Sequence, residues 1–318
     1  MSPNPLLAIA IPTYNRSAIL RENLLKMLPE LRIHQVSVFI SDDSTDDLTE
    51  AMSIVLRQEF PLIHYRRNQP RYGHDANFFA TVAIPSADYV WYLGDSVYFQ
   101  NGALAAVLQA LTENRPDFCF VNGYVSNQVT CLLEGDAVKP FLLDRTWYLT
   151  LTGATIYSAA MRALPIAPDR ARQWNNFPQL GLTLEACSRA PRRLLWLAPM
   201  FLTFNHKKSS YWLHSALKVF VGDWCALIRS FPSFFSEQEQ RYVIRSHGKN
   251  TGLFNLRSLL LLRAIGALQP ARLAEHAADF ALASPIAPIW ASWVSRFPRL
   301  PLQAYRILLV MLRSVHKR

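Results

Sequence analysis

Short strand-like and helix-like segments alternate regularly through the first part of the chain. The predicted strands cover residues 6–11, 36–40, 62–66, 90–93 and 118–121, and the intervening segments are helix-like. Strands separated by helices pair most readily as neighbours in a mostly parallel sheet that carries helices on both faces. The alternation therefore predicts an α/β fold of the Rossmann-like type for this part of the chain.

Three polar loops follow three of these predicted strands. They read Thr-Tyr-Asn at 13–15, Asp-Asp-Ser at 42–44 and Gly-Asp-Ser at 94–96. The carboxyl ends of parallel strands meet at one edge of a sheet, which is where open α/β sheets bind ligands. We expect the three loops to converge there. The glycine-rich patterns of dinucleotide-binding dehydrogenases and of P-loop enzymes are absent from the sequence.

The carboxylates of these loops also have a simpler interpretation. An aspartate after a strand is more often a turn residue or a helix cap than a ligand-binding group. Asp42, Asp43 and Asp46 would then cap the helix that follows them. The two interpretations are compatible, because a cap needs only one of these carboxylates.

Four motifs in order resemble the successive motifs of family-2 glycosyltransferases. They are Ile-Pro-Thr-Tyr-Asn-Arg at 11–16, Ile-Ser-Asp-Asp-Ser-Thr-Asp at 40–46, Arg-Tyr-Gly-His-Asp-Ala-Asn at 71–77 and Tyr-Val-Trp-Tyr-Leu-Gly-Asp at 89–95. The chain is similar in particular to bacterial abequosyltransferase-like enzymes, which build surface polysaccharides. It implies the GT-A fold, with a mostly parallel sheet, flanking helices and a helical carboxyl-terminal region.

The resemblance also implies a site for a nucleotide-diphosphate sugar. Its residues would be Pro12, Thr13, Tyr14, Asn15, Asp42, Asp43, Arg71, Asp75, Asn77, Gly94, Asp95 and Lys207. Within this set, residues 12–14 would line the nucleobase and ribose pocket, and Asp42 or Asp43 would accept a hydrogen bond from the base. Asp75 and Asn77 would position the base and ribose, and Arg71 would contact phosphate. Lys207, or else His206, would stabilise the departing diphosphate if the loop after residue 204 closes; a surface basic turn is the alternative.

Asp95 matches the first acid of the family's D-x-D metal motif. The resemblance therefore implies a divalent cation, Mn²⁺ or Mg²⁺, held at Asp95. Ser96 and Val97 depart from the motif, which usually has further acids there. Three explanations stay open: Asp95, the phosphates and water hold the cation, basic side chains replace it, or the protein is a weak or inactive relative.

The second half of the chain gives weaker signals. The family's catalytic base is an Asp or Glu well past the metal motif, and Glu185 has the best spacing among the few acids present. The alternative is that Glu185 is an exposed helical residue. We expect a GT-A domain at 1–215, with a nucleotide-sugar half at about 1–125 and an acceptor half at about 126–215, followed by a helical, basic region at 216–318.

The charge distribution suggests a membrane surface as a partner. Residues 1–144 carry 10 Lys and Arg against 16 Asp and Glu, whereas residues 145–318 carry 23 against 7. An anionic membrane suits this basic, apolar half better than nucleic acid, because RNA-binding and zinc-finger signatures are absent. Arg299, Arg306, Arg313 and Lys317 form one stripe of a predicted helix that would lie in the membrane interface. The alternative is a helix packed on the catalytic domain.

No apolar run is long enough to predict a transmembrane helix, and the amino terminus lacks a signal-peptide pattern. The four cysteines are scattered, which is typical of reduced thiols in a cytosolic protein. Taken with these features, the family resemblance implies an inverting glycosyltransferase of O-antigen or capsule synthesis, peripheral on the cytoplasmic membrane face, with a polyprenyl-diphosphate-linked acceptor. A glycosyltransferase-like binding or scaffold protein without turnover is the alternative.

Overall fold

The computed structural model describes residues 2–207 and 210–303 of the chain. These residues form two compact units: the first comprises residues 2–142 and 148–207, and the second comprises residues 143–147 and the described residues from 210 onward. The sequence-based boundary at residue 215 stays a prediction.

The first unit contains all the strands found among the described residues. They are β1 Leu7–Thr13, β2 Ser37–Asp42, β3 Ile63–Arg67, β4 Tyr89–Tyr92, β5 Val97–Phe99, β6 Phe118–Val121, β7 Cys131–Leu133, β8 Thr155–Ser158, β9 Leu194–Leu197 and β10 Leu202–Phe204. Strands β1 to β4 and β6 lie where the apolar runs predicted them, with ends that differ by at most two residues.

The helices alternate with the early strands and dominate the later chain. They are α1 Ser17–His34, α2 Leu48–Glu59, α3 His74–Val82, α4 Ala103–Asn114, α5 Val138–Arg145, α6 Ala159–Arg162, α7 Pro168–Ala171, α8 Pro178–Arg189, α9 Trp224–Arg229, α10 Glu237–Thr251, α11 Leu256–Ala264, α12 Pro270–Glu275, α13 Ala277–Ala283 and α14 Pro288–Arg296.

Eight strands form one mixed sheet in the order β3-β2-β1-β4-β8-β6-β9-β7. The pairs β3–β2, β2–β1, β1–β4 and β6–β9 are parallel, and β8 and β7 pair antiparallel with their neighbours. The strand order reverses direction between β1 and β4, since the chain moves outward from β1 to β3 and then returns to the other side of β1. Ligands bind at such a reversal in open α/β sheets. The predicted α/β fold is confirmed.

A small second sheet lies beside the end of β4. Strand β5 begins two residues after Asp95 and pairs antiparallel with β10, with Val97 opposite Phe204 and Phe99 opposite Leu202. The pairing joins two segments that lie about a hundred residues apart in the sequence. It thereby fixes the chain that follows β10 next to the loop that carries Asp95.

The core of the first unit lies between the large sheet and its helices. Helix α1 buries Leu20, Leu24, Met27, Leu28 and Leu31, the positions whose spacing predicted a helix. Strands β4 and β6 are buried along their whole length. Because both faces of the central strands are covered, their residues form continuous apolar runs.

The regular elements described in the second unit are all helical. Helix α10 begins with a capping box in which Ser236 accepts from the Glu239 backbone N–H and the Glu239 carboxylate accepts from the Ser236 backbone N–H. A π-helical turn over Lys218–Asp223 precedes α9. None of the helices that the structure describes combines the length and apolarity needed to cross a membrane. Of the basic stripe predicted near the end of the chain, Arg306, Arg313 and Lys317 lie outside the described residues.

Candidate functional site

The three polar loops predicted to converge do meet at the carboxyl edge of the sheet. The Thr13 hydroxyl donates to Asp95 Oδ2 at 3.3 Å, and the Asp43 backbone N–H donates to the Thr13 carbonyl oxygen at 3.0 Å. The Asn15 backbone N–H donates to Ser44 Oγ at 2.8 Å. Each bond joins the ends of two different strands, so the loops form one connected surface.

Asp95 is the buried centre of this surface. Its second carboxylate oxygen lies 3.2 Å from Arg16 Nη1, and its backbone carbonyl accepts from Asn23 Nδ2 at 2.9 Å. Asn23 is fully buried on α1, among the apolar residues of that helix. The carboxylate is therefore held from two sides, by the Thr13 hydroxyl on one oxygen and by the Arg16 guanidinium on the other.

Gly94 acts through its lack of a side chain. It is not among the residues with a positive φ angle, so the site does not depend on a left-handed backbone there. A Cβ at this position would lie 3.2 Å from Thr152 Cγ2, which is closer than ordinary van der Waals contact. Glycine therefore allows the loop that carries Asp95 to approach the segment around Thr152.

The chain after β10 is tied to the same surface through Asn205. Its backbone N–H donates to the Ser96 carbonyl at 2.8 Å, and its side-chain amide donates to Asn23 Oδ1 at 3.1 Å. Sequence reasoning missed both Asn23 and Asn205. The sequence did contain one signal for Asn23: it lies on the apolar face of the predicted helix α1, and a buried side-chain amide needs a hydrogen-bond partner.

Lys207 reaches back to α1 rather than standing free in solvent. Its ammonium lies 2.7 Å from Glu22 Oε2, and Lys26 lies 3.0 Å from Glu22 Oε1. The hydrogen bond from Lys207, followed by that from Lys26, lowers the pKa of the Glu22 carboxyl to about 2. Lys26 also lies 4.4 Å from the ring centre of Tyr98 on β5. The predicted phosphate-binding residue Lys207, two residues beyond Asn205, thus has an anionic partner in Glu22. Lys208 and Ser209, which follow it, lie outside the described residues.

Asp42 and Asp43 organise the loops beside the site instead of capping α2. Asp43 accepts from Asn68 Nδ2 and from the Gly73 N–H, both at 2.7 Å. Asp42 accepts from the Ser44 N–H and the Tyr65 hydroxyl, both at 2.9 Å. The helix-capping interpretation holds only for Asp46, whose Oδ1 accepts from the Leu48 N–H at 3.0 Å.

Burial and the bond to Asp42 raise the pKa of the Tyr65 hydroxyl, which therefore stays protonated and donates to the carboxylate. Asn77 Oδ1 accepts from Ser41 Oγ at 2.7 Å and from Asn68 Nδ2 at 3.0 Å. Asn77 is thus a buried structural link between β2 and α3.

Tyr14 and Arg71 form an open platform at the rim. The guanidinium carbon of Arg71 lies 4.5 Å from the ring centre of Tyr14, and the tyrosine is 45% exposed. A stacked guanidinium and phenol ring present a flat polarisable surface, which suits an aromatic base. Asp75 accepts from the Asn176 backbone N–H at 3.0 Å.

Glu185 is buried, so the interpretation as an exposed helical glutamate is wrong. Arg170 Nε lies 2.8 Å from one carboxylate oxygen and Arg189 Nη2 lies 2.8 Å from the other. Glu185 thus joins α7 to α8 through two ion pairs. Its role as catalytic base stays a prediction.

Residues 8–164, about half of the chain, match the family model described as glycosyl transferase family 2. These residues form a family-2 glycosyltransferase domain. The sequence-based family prediction is confirmed.

Two curated bacterial glycosyltransferases are similar to part of this chain. Abequosyltransferase RfbV of Salmonella typhimurium is 36% identical over 115 residues, which cover 35% of this chain and 34% of the relative. The GalNAc(5)-diNAcBac-PP-undecaprenol beta-1,3-glucosyltransferase of Campylobacter jejuni is 27% identical over 140 residues, which cover 43% and 42%. The chain thus spans well under half the length of each curated relative.

Two solved structures share the fold over nearly the whole chain. Residues 1–349 of S. aureus TarS superpose with a TM-score of 0.54 at 13% identity, covering 95% of this chain and 91% of that one. Mannosyltransferase PcManGT of Pyrobaculum calidifontis, solved with GDP-Man and Mn²⁺, gives 0.55 at 15% identity, with 97% and 89% covered. At this identity the likeness establishes the GT-A fold alone.

The residues of this family-2 domain fit a divalent cation at one point only. Within the described ranges, no three His, Cys, Asp or Glu side chains come together as a metal site. Mg²⁺ is nevertheless commonly held by one or two carboxylates, with substrate phosphates and water completing its shell. Asp95 supplies one such carboxylate, and Arg16 competes for it. The chemistry of the site therefore fits a cation that arrives together with a diphosphate.

Proposed function

We propose that the protein transfers a sugar from a nucleotide-diphosphate sugar to a saccharide acceptor in bacterial surface-polysaccharide synthesis. The observation that carries this proposal is the meeting of Thr13, Arg16 and Asp95 at the carboxyl edge of a family-2 domain. One anionic group and one cationic group lie side by side there. That pair matches a metal-bound, negatively charged diphosphate.

The donor site extends from Asp95 toward the Tyr14 and Arg71 platform. The nucleobase stacks on this platform, and the diphosphate lies between Arg16 and Lys207. TarS with UDP and PcManGT with GDP-Man and Mn²⁺ show that proteins of this fold take different bases. The base and the sugar of this protein's donor must therefore be determined by experiment.

The reaction is a single displacement with inversion. An acceptor hydroxyl oxygen forms a bond to the anomeric carbon while the bond from that carbon to the diphosphate oxygen breaks. The hydroxyl proton goes to a carboxylate base, for which we retain Glu185, and the nucleoside diphosphate leaves. A divalent cation, when bound, supplies neutralising charge on the diphosphate oxygens.

Glu185 takes this proton in competition with its two arginines, which favour the charged form of the carboxylate. Both of its carboxylate oxygens are ion-paired, to Arg170 and Arg189. Both arginines are partly exposed, so solvent offers either guanidinium an alternative partner. Acceptor binding would supply the energy for this exchange.

We propose a lipid-linked saccharide as the acceptor. The name of the Campylobacter jejuni relative describes a polyprenyl-diphosphate-linked substrate. The basic, apolar character of the second half of the chain is compatible with an enzyme that works peripherally at the cytoplasmic face of the membrane.

The test is release of nucleoside diphosphate from a panel of nucleotide sugars, with and without Mn²⁺ or Mg²⁺, in the presence of bacterial membrane lipid extract. We expect release from one donor, lost in Asp95→Ala and kept in Asp46→Ala, which removes a half-buried carboxylate from a neighbouring loop. Nucleotide binding measured by calorimetry without release from any donor or acceptor extract would support the non-catalytic alternative instead.

A further inference from the structure

Helix α14 of the second unit presents large apolar side chains to solvent. Ile289, Trp290 and Trp293 are 61%, 57% and 69% exposed. They occupy positions i, i+1 and i+4, which place them on one side of a helix. Phe297 and Leu300, just beyond α14, are 50% and 79% exposed. Tryptophan is rarely so exposed, because its large ring is the most favourable to bury.

The opposite side of α14 is packed within the same unit. Ala291, Val294 and Ser295 are buried, and the helix contacts α11, α12 and α13. Its orientation is therefore fixed by its neighbours, and the tryptophans cannot turn inward without unpacking it. A shallow apolar hollow lies beside the helix, lined in part by Leu273, Phe280 and Pro288. Leu273 and Phe280 are themselves buried, so the exposed apolar face is formed by α14 and the residues just after it.

The charges carried by this segment have a single sign. Residues 280–318 contain six Lys and Arg residues and no Asp or Glu. Two of them, Arg296 and Arg299, are exposed at the end of α14 and just after it. The preceding acids are Asp279, which is paired with Arg229, and Glu275, which is exposed on α12. The segment itself therefore combines apolar rings with a cationic edge.

We propose that this face, Ile289, Trp290, Trp293, Phe297 and Leu300, docks the protein on an anionic lipid bilayer. Tryptophan rings favour the boundary between headgroups and acyl chains, and arginines beside them bind lipid phosphate. Apolar insertion and charge attraction then act together. The proposal rests on the proposed function only in giving a reason for docking, namely access to a lipid-linked acceptor.

A second copy of the chain is a poorer occupant of the same face. A symmetric dimer through α14 would place Arg296 and Arg299 of one copy near the same residues of the other. No acid after Asp279 is present in the sequence to balance them. Like charges at an interface weaken association, whereas the phosphates of a bilayer neutralise them.

The experiment is flotation of the full-length protein with vesicles of equal parts phosphatidylglycerol and phosphatidylcholine, compared with pure phosphatidylcholine. We expect the protein to float with the anionic vesicles and to bind less at high salt. The double variant Trp290→Ser and Trp293→Ser should reduce the partition coefficient by about tenfold or more. Tyr242→Ser is the matched control, because Tyr242 is also an exposed aromatic residue of the second unit, at 55%, and lies on α10.

Flotation of the double variant like the wild type would overturn the proposal. So would a wild-type protein that ignores vesicles but forms a dimer in light scattering that the double variant loses, because the face would then belong to a second copy. Failure of the proposed function is a separate result. Vesicle binding without nucleoside diphosphate release leaves the docking face standing, whereas release with a soluble saccharide acceptor but no vesicle binding removes only the docking face.

Discussion

The guanidinium of Arg16 lies 3.2 Å from the carboxylate of Asp95, the residue that matches the family's metal motif. The two residues are 79 positions apart and come from the ends of different strands. A carboxylate that is already paired with a cation binds a metal ion only by sharing or exchanging that partner. Arg16 therefore sets how strongly Asp95 competes for a divalent cation.

Replacing Arg16 by Gln should make the site take a divalent cation more readily. We expect the Mn²⁺ concentration for half-maximal nucleoside diphosphate binding to fall several-fold, because Asp95 loses its internal counter-ion. Titration calorimetry with nucleotide and variable Mn²⁺ measures this directly. Arg21→Gln, an exposed arginine of helix α1, which Arg16 precedes, is the control. An unchanged or raised Mn²⁺ requirement would mean that Arg16 contributes more by holding the diphosphate than by occupying Asp95.

Replacing Glu185 by Gln separates catalysis from structure. As the base, Glu185 is needed only for proton removal, so kcat should fall by about 10²–10⁴-fold while nucleotide binding is unchanged. Glu113→Gln, an exposed helical glutamate, should change neither quantity. If Glu185 serves only to hold Arg170 and Arg189, the variant will instead lower the free energy of unfolding and leave kcat per folded molecule intact.

Substitutions at Glu22 and at Lys207 should have opposite effects on nucleoside diphosphate binding. Glu22→Gln releases Lys207 and should tighten nucleoside diphosphate binding a few-fold, whereas Lys207→Met should weaken it. Lys26→Met removes the other cation on Glu22 and should not weaken binding. Dissociation constants from calorimetry decide the matter, and a shift of both variants in the same direction would contradict a role of Lys207 at the diphosphate.

His247 predicts a loss of stability in mild acid. It is fully buried against Phe220 and Trp224, and neither ring nitrogen has a hydrogen-bond partner among the described residues. Burial lowers the pKa of the imidazole to about 3. The unfolded chain binds a proton below its ordinary pKa of 6.5 and the folded chain does not, so the free energy of unfolding falls as the pH drops through this range.

From neutral pH to about pH 5 the loss from this one group is about 2 kcal/mol. His247→Phe should remove that part of the pH dependence and leave the protein at least as stable at neutral pH, since an unsatisfied polar group is replaced by an apolar ring. Urea unfolding at both pH values measures it. His206→Gln, an exposed histidine, should keep the wild-type slope. An unaltered slope in His247→Phe would show that the imidazole titrates normally.

The sequence alone determined the order of strands and helices in the first part of the chain, and with it the edge at which the polar loops meet. Apolar runs of strand length and the spacing of Leu20, Leu24 and Met27 are local properties, so they can be read without knowing the partners. The family motifs at Thr13 and Asp95 lie at that edge for the same reason.

Tertiary structure alone decided what each polar group binds. Asn23 forms a hydrogen bond with Asn205, 182 residues later, and Glu22 pairs with Lys207, 185 residues later. Both contacts depend on the pairing of β5 with β10, which no periodicity in the sequence predicts. The burial of Glu185 likewise depends on α7 and α8 meeting. A contact between distant residues depends on how whole elements pack, and a single polar residue carries no local signal of its partner.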